Sequence, residues 1–249
     1  MPTNRSLAQE AMKTKGRPLQ KMFERVPKRY DFLNRLLTFR LDEVWRKKAV
    51  KTIVTQQPRE IMDVGTGTGD LAVRVARKLN NAHVTGYDFS PSMLEFAREK
   101  ALKYHLNNIE FIEGDAAFMP FESGRFDVVC ISFAFRNITF KNPNTGLYIR
   151  EIFRTLRPGG KFVIVESSQP RFRLVRFLFH QYLNYIVSGI GGKISGTKSA
   201  YHYLAYSARN FYTQKELTGL LNKYGFVSVE HSPMLLGAAA LTVASKPSA

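Results

Sequence analysis

The amino-acid sequence predicts an α/β fold built on a parallel sheet, and three features of the chain support this. Residues 61–70, IMDVGTGTGD, read as a short apolar strand, a turn with three glycines and the start of an apolar helix. A second strand, at 83–88, ends in an acidic residue. Further strands then alternate with helical segments, which is typical of a parallel sheet. The ligand of such a sheet lies at the carboxyl ends of its first strands.

The glycine turn carries Gly65, Gly67 and Gly69 between two acids, Asp63 and Asp70. A dinucleotide fingerprint has the spacing G-x-G-x-x-G, so the third glycine here comes one residue early, and carboxylates suit a pyrophosphate poorly. They suit a cationic ligand with an amino group and ribose hydroxyls, such as S-adenosylmethionine. Tight turns also carry glycines for steric reasons alone, so the turn by itself leaves both readings open.

The second strand adds a ribose-binding candidate. Asp88 ends it, 20 residues after Thr68, where a carboxylate that binds ribose hydroxyls belongs in this kind of sheet. The alternative is that Asp88 only begins the next helix. Because Ser90 and Pro91 already supply an N-cap and a first-turn proline there, Asp88 is available for a ligand.

The later segments continue the alternation. A third strand, at 109–112, precedes Asp115, which can accept a hydrogen bond from an adenine amino group. The remaining elements are a buried fourth strand at 126–132, a helix from about 145 to 156, a turn at 157–160 and a fifth strand at 161–166.

With these motifs in order, the chain resembles the class I S-adenosylmethionine-dependent methyltransferases. Three stretches narrow the resemblance to the quinone-biosynthesis C-methyltransferases, which methylate ubiquinone and menaquinone precursors: KRYDFLN at 28–34, SFAFRN at 132–137 and SAYHYLA at 199–205. The similarity runs from about Phe23 to Val243. It implies a Rossmann-like, mostly parallel seven-stranded sheet with helices on both faces and additional helical cap segments.

The resemblance implies that S-adenosylmethionine is the methyl donor and that a polyprenylated quinol is methylated at a ring carbon, with demethylmenaquinol favoured. Asp63 would meet the methionine portion or instead fix the loop through its amides, and Met93 would pack against adenine or in the core. The cofactor-binding residues it implies are Tyr30, Asp63, Gly65, Thr68, Gly69, Asp88, Met93, Asp115, Ala116 and Ser132.

For catalysis, we expect Arg136 to orient a water or to stabilise a phenolate, and Asn137 to hydrogen-bond a ring oxygen. An arginine does not readily act as a base, so the proton acceptor is a water, His202 or a tyrosinate. The late cap segment adds substrate-binding candidates whose tyrosines otherwise serve packing. The catalytic set is Arg136, Asn137, Tyr201 and His202, and the substrate-binding set is Arg136, Asn137, Tyr201, Tyr203 and Arg209.

The chain departs from the family's pattern around the expected substrate cap. Thr197 and Lys198 stand where an acid is usual, Tyr206 replaces a glutamate, and Tyr212 replaces a proline. Thr66 interrupts the consecutive glycines that are common in the first loop. These changes bear on the identity of the quinol more than on the cofactor, and naphthoquinol and benzoquinol rings both stay open.

At 249 residues the chain has the length of one catalytic domain with decorations. We expect a basic tail at 1–20 without a secretory signal, N-terminal cap helices at 21–58, and a methyltransferase domain at 59–249 with a cap or lid insertion at about 168–213. The single cysteine excludes a disulfide framework and a thiolate metal cluster, and the five histidines lack ligand spacing.

The net charge of +17 indicates an anionic partner, either nucleic acid or a membrane surface. RFRLVRFLF at 171–179 interleaves arginines with large apolar residues, which favours a cytoplasmic protein attached peripherally to an anionic membrane. A cap helix buried against the core is the alternative. An RNA methyltransferase is disfavoured because the cysteine lies within a strand and no N-P-P-Y-like loop follows strand four. A non-catalytic cofactor-binding protein and a homodimer stay open.

Overall fold

The computed structural model describes residues 35–191 and 198–248, with only the backbone given for 190–191 and 198–200. Seven strands form one sheet in the order β3-β2-β1-β4-β5-β7-β6. β7 pairs antiparallel with both of its neighbours, and the other pairings are parallel. The predicted mostly parallel, seven-stranded sheet is therefore confirmed. The strands are β1 Glu60–Val64, β2 His83–Asp88, β3 Ile109–Glu113, β4 Phe126–Ser132, β5 Leu156–Ser167, β6 Val227–Met234 and β7 Ala239–Ser245.

Helices connect the strands and extend the chain beyond the sheet. A π-helical segment, Tyr182–Gly191, follows α6, and a 3₁₀ turn, Leu235–Gly237, joins β6 to β7. In the described residues, no helix is long and apolar enough to cross a bilayer. The α-helices are α1 Leu41–Val54, α2 Asp70–Ala76, α3 Pro91–Lys103, α4 Phe135–Thr139, α5 Thr145–Thr155, α6 Arg173–Gln181, α7 Lys198–Arg209 and α8 Gln214–Lys223.

Alternate residues of the central strands bury opposite faces of the sheet. On β1, Ile61 packs in the cluster that contains Leu71 and Val84, whereas Met62 packs in the cluster that contains Phe126 and Phe162. Both faces are thus covered by apolar side chains, which is why the inner strands read as continuous apolar runs in the sequence. The covered sheet leaves the carboxyl ends of its strands as the edge where a ligand site can form.

The fifth strand begins earlier than the sequence predicts. Leu156 already pairs with Phe126, and a register shift follows before the regular pairing from Lys161. Gly159, at φ +77°, allows the chain to turn within this irregular start. The predicted turn is therefore part of β5, and the helix before it ends at Thr155.

Several predicted features lie outside the described residues, namely the basic tail, Tyr30, the motif at 28–34 and Thr197. The segment between β5 and α8 holds α6, the π-helical segment and α7, and it has an apolar cluster of its own. That cluster, which we call the cap cluster, contains Leu37, Leu183, Val187, Tyr201, Ala205 and Ala208.

Candidate functional site

The glycine loop between β1 and α2 is tied to the end of β2. The Gly65 and Thr66 amides both donate to the Tyr87 carbonyl, at 2.7 and 3.2 Å. Gly65 has φ +64°, and a Cβ there would lie 2.6 Å from the Ala134 Cβ. The loop therefore presses against the segment that follows β4, so the carboxyl ends of β1, β2 and β4 meet at one place.

Those contacts distinguish two glycines of the loop. Gly65→Ala and Gly67→Ala both place a side chain at positive φ, which costs about 1–2 kcal/mol each. Only the change at Gly65 also meets Ala134, whereas a Cβ at Gly67 meets nothing within 4 Å. We expect Gly65→Ala to lower the free energy of unfolding by about 1–3 kcal/mol more than Gly67→Ala, measured by urea denaturation. If the two variants lost the same free energy of unfolding, Ala134 would be able to move away from the added methyl group without an energetic cost.

Asp88 lies at the end of β2, buried to 7% exposure and directly beside the loop. Its Oδ2 accepts from the Gly67 amide at 2.8 Å, and its Oδ1 accepts from the Ser90 amide at 2.9 Å. Burial raises the pKa of this carboxyl, while the amides of Ser90 and Gly67 oppose the shift. Asp88 thus joins the loop to the start of α3 at the position predicted for ribose recognition.

Asp63 lies beneath the loop and is 1% exposed. Its Oδ2 accepts from the Thr66 hydroxyl at 2.8 Å and from the Ala72 amide at 3.2 Å, and the Cys130 thiol lies 3.7 Å from its Oδ1. Burial raises the pKa of Asp63 to about 7. Of the two roles left open by the sequence, these contacts favour fixing the loop.

The raised pKa of Asp63 makes the free energy of unfolding depend on pH. Because the folded protein binds this proton more tightly than the unfolded chain, the group's contribution to the free energy of unfolding falls as pH rises from 3.8 to about 7. Asp63→Asn removes that titration. We expect the variant to gain a few kcal/mol relative to wild type between pH 5 and pH 7.5, at about 1.4 kcal/mol per pKa unit. A pH-independent difference in urea denaturation would contradict the assignment.

The residues predicted to hold adenine make local contacts within the protein. Asp115 Oδ1 accepts from the Ala117 amide at 2.9 Å, and the Asp115 carbonyl accepts from Tyr87 at 3.3 Å. Ala116 is half-buried beside it. Met93 is 2% exposed and packed inside the protein, which favours the core role over contact with adenine.

Ser132 ends β4, and its buried hydroxyl has no hydrogen-bond partner among the described residues. Such orphaned groups are rare, and a ligand that supplies the missing partner explains one. Together with the carboxylate of Asp88 and the close backbone of the glycine loop, this hydroxyl fits a cationic nucleoside such as S-adenosylmethionine. Among the residues that the structure describes, no group of histidine, cysteine and acidic side chains is placed to hold a metal ion.

An ionic network that sequence reasoning missed surrounds the loop. Lys100 Nζ donates to Asp70 at 2.6 Å and to Thr68 at 2.9 Å, linking α3 to α2. From α1, Arg46 pairs with Asp42 at 2.5 Å and lies 3.9 Å from Asp70. Although burial raises the pKa of Asp70, Lys100 and the neighbouring arginines hold it below its ordinary value. Thr68 and Gly69 therefore lie in a turn that α1, α2 and α3 hold in place. A Cβ on Gly69 would lie 2.9 Å from the Ala97 Cβ.

Arg136 is 5% exposed at the start of α4. Its Nη1 donates to Glu166 Oε1 at 3.1 Å and to the Ser167 hydroxyl at 2.7 Å, and its backbone amide donates to Glu166 Oε2 at 3.1 Å. Its Nε is buried and has no hydrogen-bond partner in the part of the chain that the structure describes. Glu166, 2% exposed, was not predicted, although it is an acid at the end of an apolar strand, the same signal that identified Asp88.

The structure separates the cap residues predicted together. Tyr203 lies beside the Arg136–Glu166 pair: burial raises its pKa, with Arg136 and Glu166 acting in opposite directions. Tyr201 packs in the cap cluster. His202 is exposed, with its Nδ1 3.3 Å from the Ser188 hydroxyl.

The two other predicted substrate residues lie at the edges of this arrangement. Arg209 Nη1 lies 3.4 Å from Asn184 Oδ1, which holds α7 to the π-helical segment. Asn137 is half-buried next to Arg136, and its side chain makes no hydrogen bond within the described part of the chain.

Two of the unusual cap residues connect α7 and the chain after it to the end of α4. Lys141 donates to the Tyr206 hydroxyl at 2.8 Å, which lowers the pKa of Tyr206, and the Tyr206 ring packs edge-on against Phe140. The Tyr212 hydroxyl donates to the Thr139 carbonyl at 3.3 Å. Tyr206 and Tyr212, two of the departures from the family's pattern, thus hold the cap to the segment that follows Arg136.

Comparison with protein families matches residues 10–246 to the ubiE/COQ5 methyltransferase family. A demethylmenaquinone methyltransferase of Thermus thermophilus is 38% identical over 91% of this chain and 100% of that protein. One of Chlorobaculum tepidum is 39% identical over 99% of this chain and 100% of that protein. The ubiquinone/menaquinone biosynthesis C-methyltransferase UbiE of Geotalea daltonii is 37% identical over 93% of this chain and 97% of that protein.

Solved structures share the fold at lower identity. An O-methyltransferase family protein from Burkholderia thailandensis matches with a TM-score of 0.65 and 18% identity, over 88% of this chain and 60% of that one. Human N-acetylserotonin methyltransferase, solved with SAM, matches with a TM-score of 0.58 and 18% identity, over 88% of this chain and 58% of that one.

Proposed function

Because the chain belongs to the ubiE/COQ5 methyltransferase family, we propose that it transfers a methyl group from S-adenosylmethionine to a ring carbon of a polyprenylated quinol in menaquinone or ubiquinone biosynthesis. The observation that carries this is the contact between Gly65 and Ala134. The close approach of these residues supports the proposal, because Gly65 belongs to the proposed cofactor loop and Ala134 to the segment that leads into Arg136.

The donor supplies a methyl group already activated on a sulfonium, so the protein's task is to bind, orient and handle a proton. Asp88 binds the ribose hydroxyls, and Ser132 uses its unpaired hydroxyl on the methionine side. The quinol ring becomes nucleophilic at carbon when a neighbouring hydroxyl loses its proton. Alignment of that carbon with the methyl group removes a large part of the barrier.

Arg136 supplies positive charge where the phenolate develops, and Asn137 hydrogen-bonds a ring oxygen. Glu166 fixes the guanidinium from one side through Nη1, which leaves the buried Nε in need of a partner. A donor fixed in advance stabilises developing charge far more than a mobile one does. Glu166 is therefore a positioning residue, and Arg136 is the group that touches substrate.

The proton acceptor is a water held at Arg136. An arginine stays protonated, and His202 is exposed rather than part of the Arg136–Glu166 arrangement. Burial raises the pKa of Tyr203, which disfavours a tyrosinate there. Tyr206 has a lowered pKa but is 39% exposed and already bonded to Lys141.

Demethylmenaquinol is the favoured substrate, because the relatives from Thermus and Chlorobaculum carry that activity in their names. A benzoquinol is the second candidate, since the Geotalea relative is named for both quinones. Either substrate has a prenyl tail that partitions into lipid, so the protein meets it at a membrane surface.

Methyl transfer to demethylmenaquinol, a demethylated benzoquinol and bulk tRNA tests the proposal. Each is incubated with purified protein and S-adenosylmethionine labelled in the methyl group. We expect label in demethylmenaquinol at the highest rate and none in tRNA. Label in tRNA would make the chain an RNA methyltransferase, and cofactor binding without transfer to any of the three would make it non-catalytic.

A further inference from the structure

No side chain of helix α6 is fully buried, although Phe179 packs against the cap cluster. Phe172, which precedes it, and Leu174, Phe177 and Leu178 within it are 57–70% exposed. A contiguous apolar surface of this kind on a water-exposed helix marks a contact with something outside the domain. The segment therefore combines features of both predicted alternatives, because Phe179 packs against the cap cluster while these four apolar residues are exposed.

A second apolar element lies at the turn between β6 and β7. Leu235 is 51% exposed and Leu236 is 71% exposed. Both have left-handed backbone, at φ +45° and +53°, a conformation that costs about 1–2 kcal/mol for a residue with a side chain. Packing within the protein does not explain two strained, exposed leucines, and strain of this kind concentrates at functional sites.

The two elements adjoin. Gly237 follows the leucine pair, and a Cβ on it would lie 3.2 Å from the Pro170 Cα and 3.7 Å from the Arg171 amide nitrogen. The Ser168 amide also donates to the Ala238 carbonyl at 2.9 Å. The turn therefore packs against the chain that enters α6. We call α6 with Phe172, together with the Leu235–Leu236 turn, the docking face.

The charged residues beside the docking face are all positive. From residue 167 to residue 215 the sequence contains seven lysines and arginines and no aspartate or glutamate. Arg171 and Arg173 are exposed next to the apolar residues. Arg176 differs from them, because it is half-buried and its Nε donates to the Pro170 carbonyl at 2.8 Å. The surface thus combines free positive charge with exposed leucine and phenylalanine.

We propose that α6 and the Leu235–Leu236 turn dock together on an anionic lipid surface, the helix lying in the interface and the turn inserting as a second anchor. Lipid offers both things the face needs, negative headgroups and an apolar phase. Nucleic acid offers the charge without the apolar phase. The inference rests on the proposed function only in that docking would bring the protein to a lipid-tailed quinol. Vesicle binding itself can be measured without catalysis.

Vesicle co-sedimentation with Leu235→Asn/Leu236→Asn tests the turn. Asparagine tolerates left-handed backbone better than leucine does, so the variant keeps or gains thermal stability. We expect its affinity for phosphatidylglycerol-containing vesicles to fall about tenfold or more. Leu102→Asn, on α3 and 73% exposed, is the matched control and should bind like wild type. Phosphatidylcholine vesicles should bind none of them, and 1 M salt should release part of the wild type.

A fluorescence measurement tests insertion of the turn directly, and it is needed if the asparagine variant still binds anionic vesicles. The emission of Leu236→Trp should shift to the blue on anionic vesicles, beyond any change from the native Trp45, whereas that of Leu102→Trp should not. If the asparagine variant binds vesicles like wild type and the emission of Leu236→Trp does not shift, the proposal is overturned.

If the asparagine variant loses self-association in light scattering while its vesicle binding is unchanged, the face belongs to a contact with a second copy of the chain. Vesicle binding without methyl transfer to any quinol would refute the proposed function and leave the docking face standing.

Discussion

Replacing Arg136 with alanine is expected to lower turnover about a hundred- to a thousandfold while S-adenosylmethionine affinity stays near the wild-type value. The guanidinium acts on charge that develops on the ring, and it is held by Glu166 rather than by the cofactor loop. Turnover is measured at saturating cofactor and quinol, and affinity by calorimetry.

The alanine variant alone is an imperfect test, because it leaves Glu166 buried without its partner. Breaking a buried ion pair on one side costs about 3–5 kcal/mol of stability. The double variant Arg136→Gln/Glu166→Gln replaces the pair with two neutral groups that can still hydrogen-bond, so it should fold and bind cofactor. It should nevertheless lose turnover like the alanine variant. Wild-type turnover in the double variant would show that the charge of Arg136 plays no part in the reaction.

Glu166→Gln separates positioning from direct contact. The amide can still hydrogen-bond Arg136 but exerts a weaker electrostatic hold, so we expect a smaller loss, about tenfold, in turnover, with an unchanged KM for quinol. A loss confined to thermal stability would mean that the carboxylate has only a structural role.

The strand ends could be predicted from sequence because local patterns determine them. An apolar run fixes each inner strand, and the residue at its carboxyl end lies at the ligand edge. Asp88 was predicted in this way, whereas Ser132 was named only from the family resemblance. Glu166 carries the same signal but was not predicted, because its role depends on a tertiary contact with Arg136, which lies 30 residues away in the chain.

The cap could not be predicted at the same level. Tyr201, His202 and Tyr203 are consecutive, so the rotation of α7 about its axis decides which one meets Arg136, and packing in the cap cluster sets that rotation. The Leu235–Leu236 turn was not predicted either, although Gly237 directly follows the two leucines in PMLLGAAA. Tertiary contacts with residues 168–171 are what bend the chain there.

Replacing Asp88 with alanine is expected to weaken S-adenosylmethionine binding about ten- to a hundredfold, since a buried hydrogen-bonding carboxylate contributes about 1.5–3 kcal/mol. The geometry allows two causes for such a loss. The carboxylate can bind the ribose hydroxyls directly, or it can act only by holding the Gly67 amide and so the loop.

A cofactor analogue without the ribose 2′-hydroxyl separates the two causes. If Asp88 binds the hydroxyls, wild type should prefer S-adenosylhomocysteine over its 2′-deoxy form by about tenfold, and Asp88→Ala should show no preference. If Asp88 acts only through the loop, both ligands weaken equally and the preference survives in the variant. Calorimetry on the four combinations gives the coupling energy between carboxylate and hydroxyl. We expect that coupling to exceed 1 kcal/mol or so, because the site offers a carboxylate that is already buried and aligned and needs no reorganisation to bind.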